Sequence, residues 1–351
     1  MPDAEPGSAS RPPRRASRQH PSPPTTIHDV AREAGVAAST VSRAFTNPQR
    51  VNARTREHVF SVADRLGYLP NPLARALPSG RTTTIALLVP DITNPFFFDL
   101  IRGAERQASA AGYTVILTDT EESPEVEAHN VERLRRAADG FVLASSRLTD
   151  RQIRDIAADN VVALVNRRVD KVPSAVADNT DSTRDVVEHL TSLGHRSIVY
   201  LAGPRPSWSN THRWNALREA AARLGVSATR LGPFHPSVLG GAAAADASIG
   251  QGATAVVAFN ALVAIGALQR FAERGTRVPD DISVVGYDDI FGADFCSPPL
   301  TTVAAPIQEV GRAAIDLLLG QLAPHTGRSY RRSVALASHL RIRQSTGPAP
   351  R

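Results

Sequence analysis

The sequence predicts an all-α headpiece followed by a larger α/β domain built on parallel sheets. Between Thr25 and about Leu66, apolar residues recur at helical spacing in three short segments punctuated by caps and a glycine. From Thr84 onward, short apolar runs alternate with amphipathic stretches, the strand–helix–strand order that places parallel strands between layers of helices. Charge is divided in the same way. The first 80 residues hold eleven Arg against six Asp and Glu, so they carry +5 of the formal +6.

Composition narrows the classes further. Hydrophobic residues make up 42% and charged residues 21% of 351, as in a folded globular chain. No stretch approaches the roughly 18 unbroken apolar residues of a membrane span. Residues 1–24 are Pro, Ser and Arg without large aliphatic residues, which predicts a disordered basic tail and lacks the apolar core of a secretory signal. With a single cysteine, Cys296, this points to the cytoplasm and leaves no internal disulfide. The one lysine, Lys171, sits in Val-Asp-Lys-Val, so neither a phosphate-binding Walker loop nor a Schiff-base site is supported. No Gly-x-Ser-x-Gly elbow or zinc-ligand spacing occurs, and His189 and His195 read as structural. Gly250-Gln-Gly252 precedes a strand instead of following one, which makes it a loop and not a dinucleotide fingerprint. No metal or cofactor is expected.

The elements follow in order. Thr26 caps the first helix, with Asp29 three residues on in capping-box spacing, and Gly35 closes it. Val41 and Phe45 face inward from a second helix over about Ala38 to Phe45. Asn52 caps a third, along which Val59, Val62, Ala63 and Leu66 keep the helical period. Residues 71–80 then allow a short helix: Asn71 caps, Pro72 suits the first position, and Pro78 to Gly80 end it. That is too short to be stable unaided.

Seven apolar runs beyond it read as buried strands: 85–89, 114–117, 140–143, 161–165, 198–201, 255–258 and 283–286. Helices are expected near 95–111, 124–137, 183–193, 211–224, 262–274 and 306–319. The run is too long for one compact sheet, so more than one is predicted. Ligands in such folds sit at the carboxyl ends of strands, which singles out the polar residues just after them.

Thr26-Ile-His-Asp-Val-Ala-Arg-Glu-Ala-Gly-Val-Ala-Ala-Ser-Thr-Val-Ser-Arg-Ala-Phe45 has helix-turn-helix spacing: small Ala31 where the helices cross, Gly35 in the turn, Val41 inward. Ala38, Ser39, Ser42 and Arg43 face outward, placed to enter a major groove. The segment resembles the LacI/GalR repressor family, and the resemblance runs from Thr25 to the mid-340s. It is carried by Thr40-Val-Ser-Arg43, Thr55-Arg-Glu-His-Val59 and the Gly67–Leu77 stretch.

The resemblance implies base contacts from Ala38, Ser39 and Arg43, within the recognition helix that also holds Thr40. It implies phosphate contacts from Thr26, Ser42, Asn52, Thr55 and Tyr68. Asn71, Ala74 and Leu77 would belong to a hinge helix whose leucine wedges into the minor groove. Ala37 departs from the family's capping serine, which costs about 1 kcal/mol of helix stability unless Ser39 substitutes.

Beyond the headpiece, Asp91-Ile-Thr-Asn-Pro-Phe-Phe97, Val165-Asn-Arg167, Leu193-Gly-His195, Ala202-Gly-Pro204, Val284-Val-Gly-Tyr-Asp-Asp289 and Pro299-Leu-Thr-Thr302 carry the same resemblance. It implies a two-lobed periplasmic-binding-protein-like α/β domain over 81–345, and 346–351 is expected as a flexible end. Phe96 and Phe97 would form an apolar wall for a small-molecule effector, while Asn166, Arg167, Ser209, Arg213, Asn260 and Asp288 would hydrogen-bond it. Such a set suits a sugar or related polyol. Each polar member also has a plainer reading as a capping or interdomain hydrogen bond. Ala261, Ala216 and Leu217 depart from the family's usual residues beside this set.

The expected protein is thus a dimeric, effector-controlled transcription regulator bound to a palindromic double-stranded operator, associated with the nucleoid and free of the membrane. No leucine heptads follow for tetramerisation. A cytoplasmic sugar-binding protein or a sugar-acting enzyme without specific DNA binding is the alternative, and the headpiece and the missing nucleophile–base pair argue against both.

Overall fold

Thr26 opens the first helix through the capping box that its spacing predicts. In the computed structural model, which describes residues 25–68, 81–323 and 333–350, its Oγ1 accepts the Asp29 backbone N–H. The Asp29 carboxylate accepts the Thr26 N–H in return at 2.9 Å. Helix α1 (Ile27–Glu33) ends before Gly35, whose φ of +64° is the left-handed turn that a Cβ would strain. Helices α2 (Ala38–Thr46) and α3 (Ala53–Arg65) follow. Val30, Ala31, Ala34, Val41, Ala44, Val59, Val62 and Ala63 pack into their common core. The alanines let the backbones approach. At the rim the Phe45 ring lies 4.9 Å from that of Phe60 and 5.8 Å from that of Tyr68.

Ala37 occupies the N-cap of α2 with extended backbone and no side-chain cap hydrogen bond, so Ser39 does not substitute for the missing serine. Ala37→Ser should therefore stabilise α2 by about 1 kcal/mol. Slower hydrogen exchange of the first α2 amides in the full-length chain is the check; unchanged protection would show that the cap contributes nothing.

The chain divides into two units, Met1–Gly80 and Arg81–Arg351. The second contains two six-stranded sheets among its described residues. The first lobe is built on β1 (Thr84–Val89), β2 (Thr114–Asp119), β3 (Gly140–Ala144), β4 (Val162–Val165), β5 (Ser174–Asp178) and, from far along the chain, β11 (Ser333–Ala337). Their order is β11-β5-β4-β3-β1-β2, and every pairing is parallel. The second lobe holds β6 (Ser197–Leu201), β7 (Ser227–Leu231), β8 (Ala255–Ala258), β9 (Ser283–Tyr287), β10 (Thr301–Ala304) and β12 (His339–Arg341) in the order β12-β10-β9-β8-β6-β7. Only β10–β12 is antiparallel in that sheet.

Helices α4 (Phe96–Ala110), α5 (Pro124–Leu134) and α6 (Asp150–Asp159) connect the first five strands. Helices α7 (Thr180–Ser192), α8 (Trp208–Arg223), α9 (Val238–Ile249) and α10 (Ala261–Glu273) belong to the second lobe, and α11 (Ile307–Leu322) returns to the first. The chain thus changes lobe between Asp178 and Thr180, between Ala304 and Ile307, and at Ser338, whose hydroxyl donates to the Asp178 carbonyl at 2.9 Å.

Five strands (β5, β7, β10, β11, β12) and two helices (α6, α9) go beyond the sequence reading. The end of the chain is a correction. Residues 346–350 are not a loose tail: the Gly347 N–H donates to Ser283 Oγ at 3.0 Å, and the Ala349 N–H donates to the Leu193 carbonyl at 2.8 Å. The Gly347 carbonyl sits 3.1 Å from His195 Nε2. Composition shows Gly and Pro there but not the buried polar partners that hold them.

Helices α4 and α11 cross at glycines. A Cβ on Gly103 would stand 2.0 Å from the Gln308 carbonyl oxygen, and one on Gly311 would stand 2.3 Å from that of Leu100. Both contacts are backbone, so neither can swing aside. Gly103→Ala should destabilise the sensor unit by about 1–3 kcal/mol, read as a lowered thermal midpoint; an unchanged midpoint would mean that the helices can separate freely.

Candidate nucleic-acid interface and ligand cleft

On the headpiece, α2 turns Val41 and Ala44 to the core and leaves Ser39 and Arg43 exposed, with Ala38, Thr40 and Ser42 half-buried along its edge. A short exposed side chain beside a long cationic one fits a helix that approaches base edges closely. Asn52 caps α3, its Oδ1 accepting the Arg54 N–H at 2.9 Å, and Thr55 lies one turn on. Thr26 is committed to its capping box, and Tyr68 packs on Phe45. Arg50 and Arg54 are also exposed, further cationic candidates for phosphate contact that were not singled out from the sequence. Asn71, Ala74 and Leu77 lie outside the described residues.

In the sensor unit, the residues that follow strand ends converge between the lobes. Phe96 and Phe97 open α4 after β1, Asn166 follows β4, Asn260 follows β8 and Asp288 follows β9. Ser209 and Arg213 come from the start of α8. All seven line one cleft, together with Asn94, Glu122, Ser145, Arg147, Ser207, Pro236 and Phe259. Its free volume is about 30 Å³, room for one or two waters against the ~300 Å³ or more of a typical ligand pocket. A ligand the size of a sugar enters only if lobes or side chains move apart.

Arg167, grouped with this set from the sequence, lies elsewhere. Its guanidinium reaches Asp150 Oδ1 at 2.7 Å and the Leu148 carbonyl at 3.0 Å, in a neighbouring groove.

Arg213 organises the second-lobe wall. Only 5% of its side chain is exposed, and it donates to Asp288 Oδ1 at 2.6 Å and to the Phe259 carbonyl. Its guanidinium carbon stands 4.3 Å from the Tyr287 ring centroid. Burial works against its charge, yet the Asp288 carboxylate and its hydrogen bond hold the pKa above the ordinary arginine value. Its Nε is buried without a hydrogen-bond partner, a donor available to a ligand.

Arg147 plays the corresponding part in the first lobe, gripping Glu122 through Nε at 2.6 Å and Nη2 at 3.0 Å. Below it, Glu127 is buried and accepts the Arg147 backbone N–H at 2.9 Å. Desolvation pushes the Glu127 pKa up, opposed by hydrogen bonds from Ser146 and the Arg147 backbone.

Asn260 and Asn166 also serve the fold. Asn260 Oδ1 caps α10 by accepting the Val263 N–H at 2.9 Å, and Asn166 Oδ1 accepts the Ala177 N–H at 2.9 Å. Ser209 donates across the lobes to the Asn166 carbonyl at 3.4 Å. Glu122, Ser145, Asn166 and Asp288 all have positive φ, between 48° and 89°. For non-glycine residues such backbone costs on the order of 1–3 kcal/mol each, and it concentrates where a site must be held in shape.

Comparisons with known proteins bear directly on this pairing of headpiece and cleft. Residues 26–71 match the model of bacterial regulatory proteins of the lacI family, and residues 187–346 match a periplasmic binding protein-like domain. The transcriptional regulator DegA of Bacillus subtilis is 32% identical over 340 residues, covering 92% of this chain and 98% of its own. The chain belongs to the LacI family. Within that family it also resembles the transcriptional repressor CytR of Escherichia coli, 34% identical over 334 residues and covering 93% of this chain and 97% of that one. A crystal structure of the lac repressor dimer bound to operator and the anti-inducer ONPF superposes with a TM-score of 0.82. It shows 28% identity, with 93% of this chain and 100% of that one covered.

The protein is accordingly a LacI-family transcriptional regulator, with a helix-turn-helix DNA-binding region and a two-lobed effector-binding domain. Among its described residues no helix is long and apolar enough to cross a membrane.

Proposed function

We propose that this regulator binds a palindromic operator as a homodimer in the cytoplasm, at the nucleoid, and is switched by a carbohydrate or related polyol in the cleft, without enzymatic activity of its own. The observation that carries the reading is the exposed Ser39–Arg43 edge of α2 on a packed helix-turn-helix, joined in one chain to a cleft of paired donors and acceptors beside Phe96 and Phe97. Arg43, Ser39 and Ala38 read bases. Thr26, Ser42, Asn52, Thr55 and Tyr68 contact phosphates, Thr40 joins them at the DNA from the recognition helix, and the family resemblance assigns Asn71, Ala74 and Leu77 to the same interface.

Effector and operator are coupled only if the effector has unequal affinity for the two lobe arrangements. Such coupling is typically about 1–3 kcal/mol and is reciprocal. The test is selection of bound duplexes from a random-sequence pool with the full-length chain at several salt concentrations. A palindromic site should be enriched. Weak, salt-sensitive binding without an enriched site would overturn the reading, because counterion release alone carries no sequence information.

A further inference from the structure

Beside the cleft, and sharing Arg147 and Ser207 with it, runs a groove of about 490 Å³ lined by Arg167, Arg168, Arg205, Trp208 and Thr211. Asp150 is the carboxylate in its lining, and it is taken by Arg167 at 2.7 Å. Arg168 and Arg205 are exposed and form no ion pair among the described residues. Arg168 is close enough to Asp178 to help lower its pKa, an effect led by the Thr180 hydroxyl. The groove continues past Arg205 and Thr211 to Arg230, also exposed and without an ion pair among the described residues. Arg167 is 9% exposed, and its buried Nε has no hydrogen-bond partner. The Trp208 ring stacks on His212 at 4.8 Å and 9°, a flat wall on one side. Two helices begin here, α6 at its Thr149 cap and α8 at its Ser207 cap, adding the positive ends of their dipoles.

The cleft and the groove differ in charge. In the cleft each arginine is matched: Arg147 with Glu122, Arg213 with Asp288. That set suits an uncharged ligand body. The groove has arginines left over, with planar donor forks suited to bidentate contact with a tetrahedral oxyanion.

The geometry points to an anion seat in this groove, occupied by a phosphate monoester at the outer end of the ligand whose neutral body lies in the cleft. The inference rests on the sensor reading above and narrows the effector from a polyol to a phosphorylated one. The phosphoryl group is bound and not transferred.

Trp208 lines the groove, whereas Trp214 packs on Tyr200, so tryptophan fluorescence of the full-length chain reports the seat, with Trp208→Phe as the blank. Inorganic phosphate titrated at constant ionic strength should give a saturable change. The exposed-site variant Arg168→Gln/Arg205→Gln should weaken it roughly tenfold, as loss of charge-assisted contacts implies. An equal response to chloride, or an unchanged response in the variant, would overturn the seat.

Matched pairs then test its link to the cleft: ribose and ribose 5-phosphate, glucose and glucose 6-phosphate, adenosine and its 5′-monophosphate, read by thermal shift. The phosphorylated member should bind at least about tenfold tighter, and the variant should lose that preference. Equal or better binding of the neutral member overturns the proposal. Failure of the sensor reading looks different: no pair member binds and DNA retention ignores them all, while inorganic phosphate still saturates the groove.

Discussion

Replacing Arg43 with alanine is expected to abolish enrichment of the operator at the positions that this side chain reads. A bidentate arginine–guanine contact is worth about 1–3 kcal/mol of discrimination, roughly five- to 150-fold in affinity. Arg43 is exposed on α2 and forms no ion pair among the described residues, so its removal leaves the headpiece core of Val30, Val41, Val59 and Val62 intact. The measurement is the duplex selection repeated with Arg43→Ala, followed by titration of the wild-type site. Affinity for that site should fall while non-specific binding and its salt slope change little. A phosphate contact behaves differently: its loss weakens all sequences and lowers the salt slope by about 1. Retention of the same site at the same affinity would remove Arg43 from the interface.

The second large effect is expected at the Arg213–Asp288 pair. Both side chains are nearly buried, and removing one partner strands a charge where water cannot reach it. Arg213→Met should destabilise the sensor unit by about 3–5 kcal/mol, a fall of the order of 6–20 °C in its thermal midpoint. Asp288→Asn should do nearly the same. In the Arg213→Met/Asp288→Asn double variant no charge is stranded, so much of the lost stability should return while response to ligand does not. That split separates the two roles of the pair. If the double variant is as unstable as the singles, the cation–ring packing of Arg213 on Tyr287 and Phe259 dominates instead.

Local chemistry made the headpiece legible. The Thr26–Asp29 capping box, Gly35 and the Val30/Val41/Val59 spacing act within a few residues of one another, and the observed helices follow them. The central strands were equally plain, because a strand covered on both faces must be an unbroken apolar run, as Ile85–Val89 is. Elements at the margins lacked that signature. Edge strand β7, Ser-Ala-Thr-Arg-Leu, keeps much of its length in solvent, and β11 alternates half-buried with exposed residues. Helix α6 buries only Ile153, and α9 is a run of Gly and Ala with little contrast between faces.

The cleft divides in the same way. Phe96, Phe97, Asn166, Ser209, Arg213, Asn260 and Asp288 came from the family resemblance carried over position by position, and the fold brings all seven to strand ends or the start of α8. Ser145 and Phe259 directly follow β3 and β8, and the strand-end rule alone could have found them. Glu122 and Arg147 could not be paired in advance, since 25 residues separate them and only the adjacency of β1, β2 and β3 brings their loops together. Nor does any motif separate Arg167 from Asn166. Those two neighbours part company because Asn166 takes positive φ and bonds Ala177, which leaves the next side chain aimed at Asp150.

The sequence by itself determined the two-part architecture and the recognition helix, which rest on periodicity and caps acting over a few turns, and its motifs carried the family resemblance. Tertiary structure alone decided which carboxylate neutralises which arginine and which arginines remain unmatched. Ion pairing depends on distances across the sheets and between the lobes, and those distances exist only once the chain has folded.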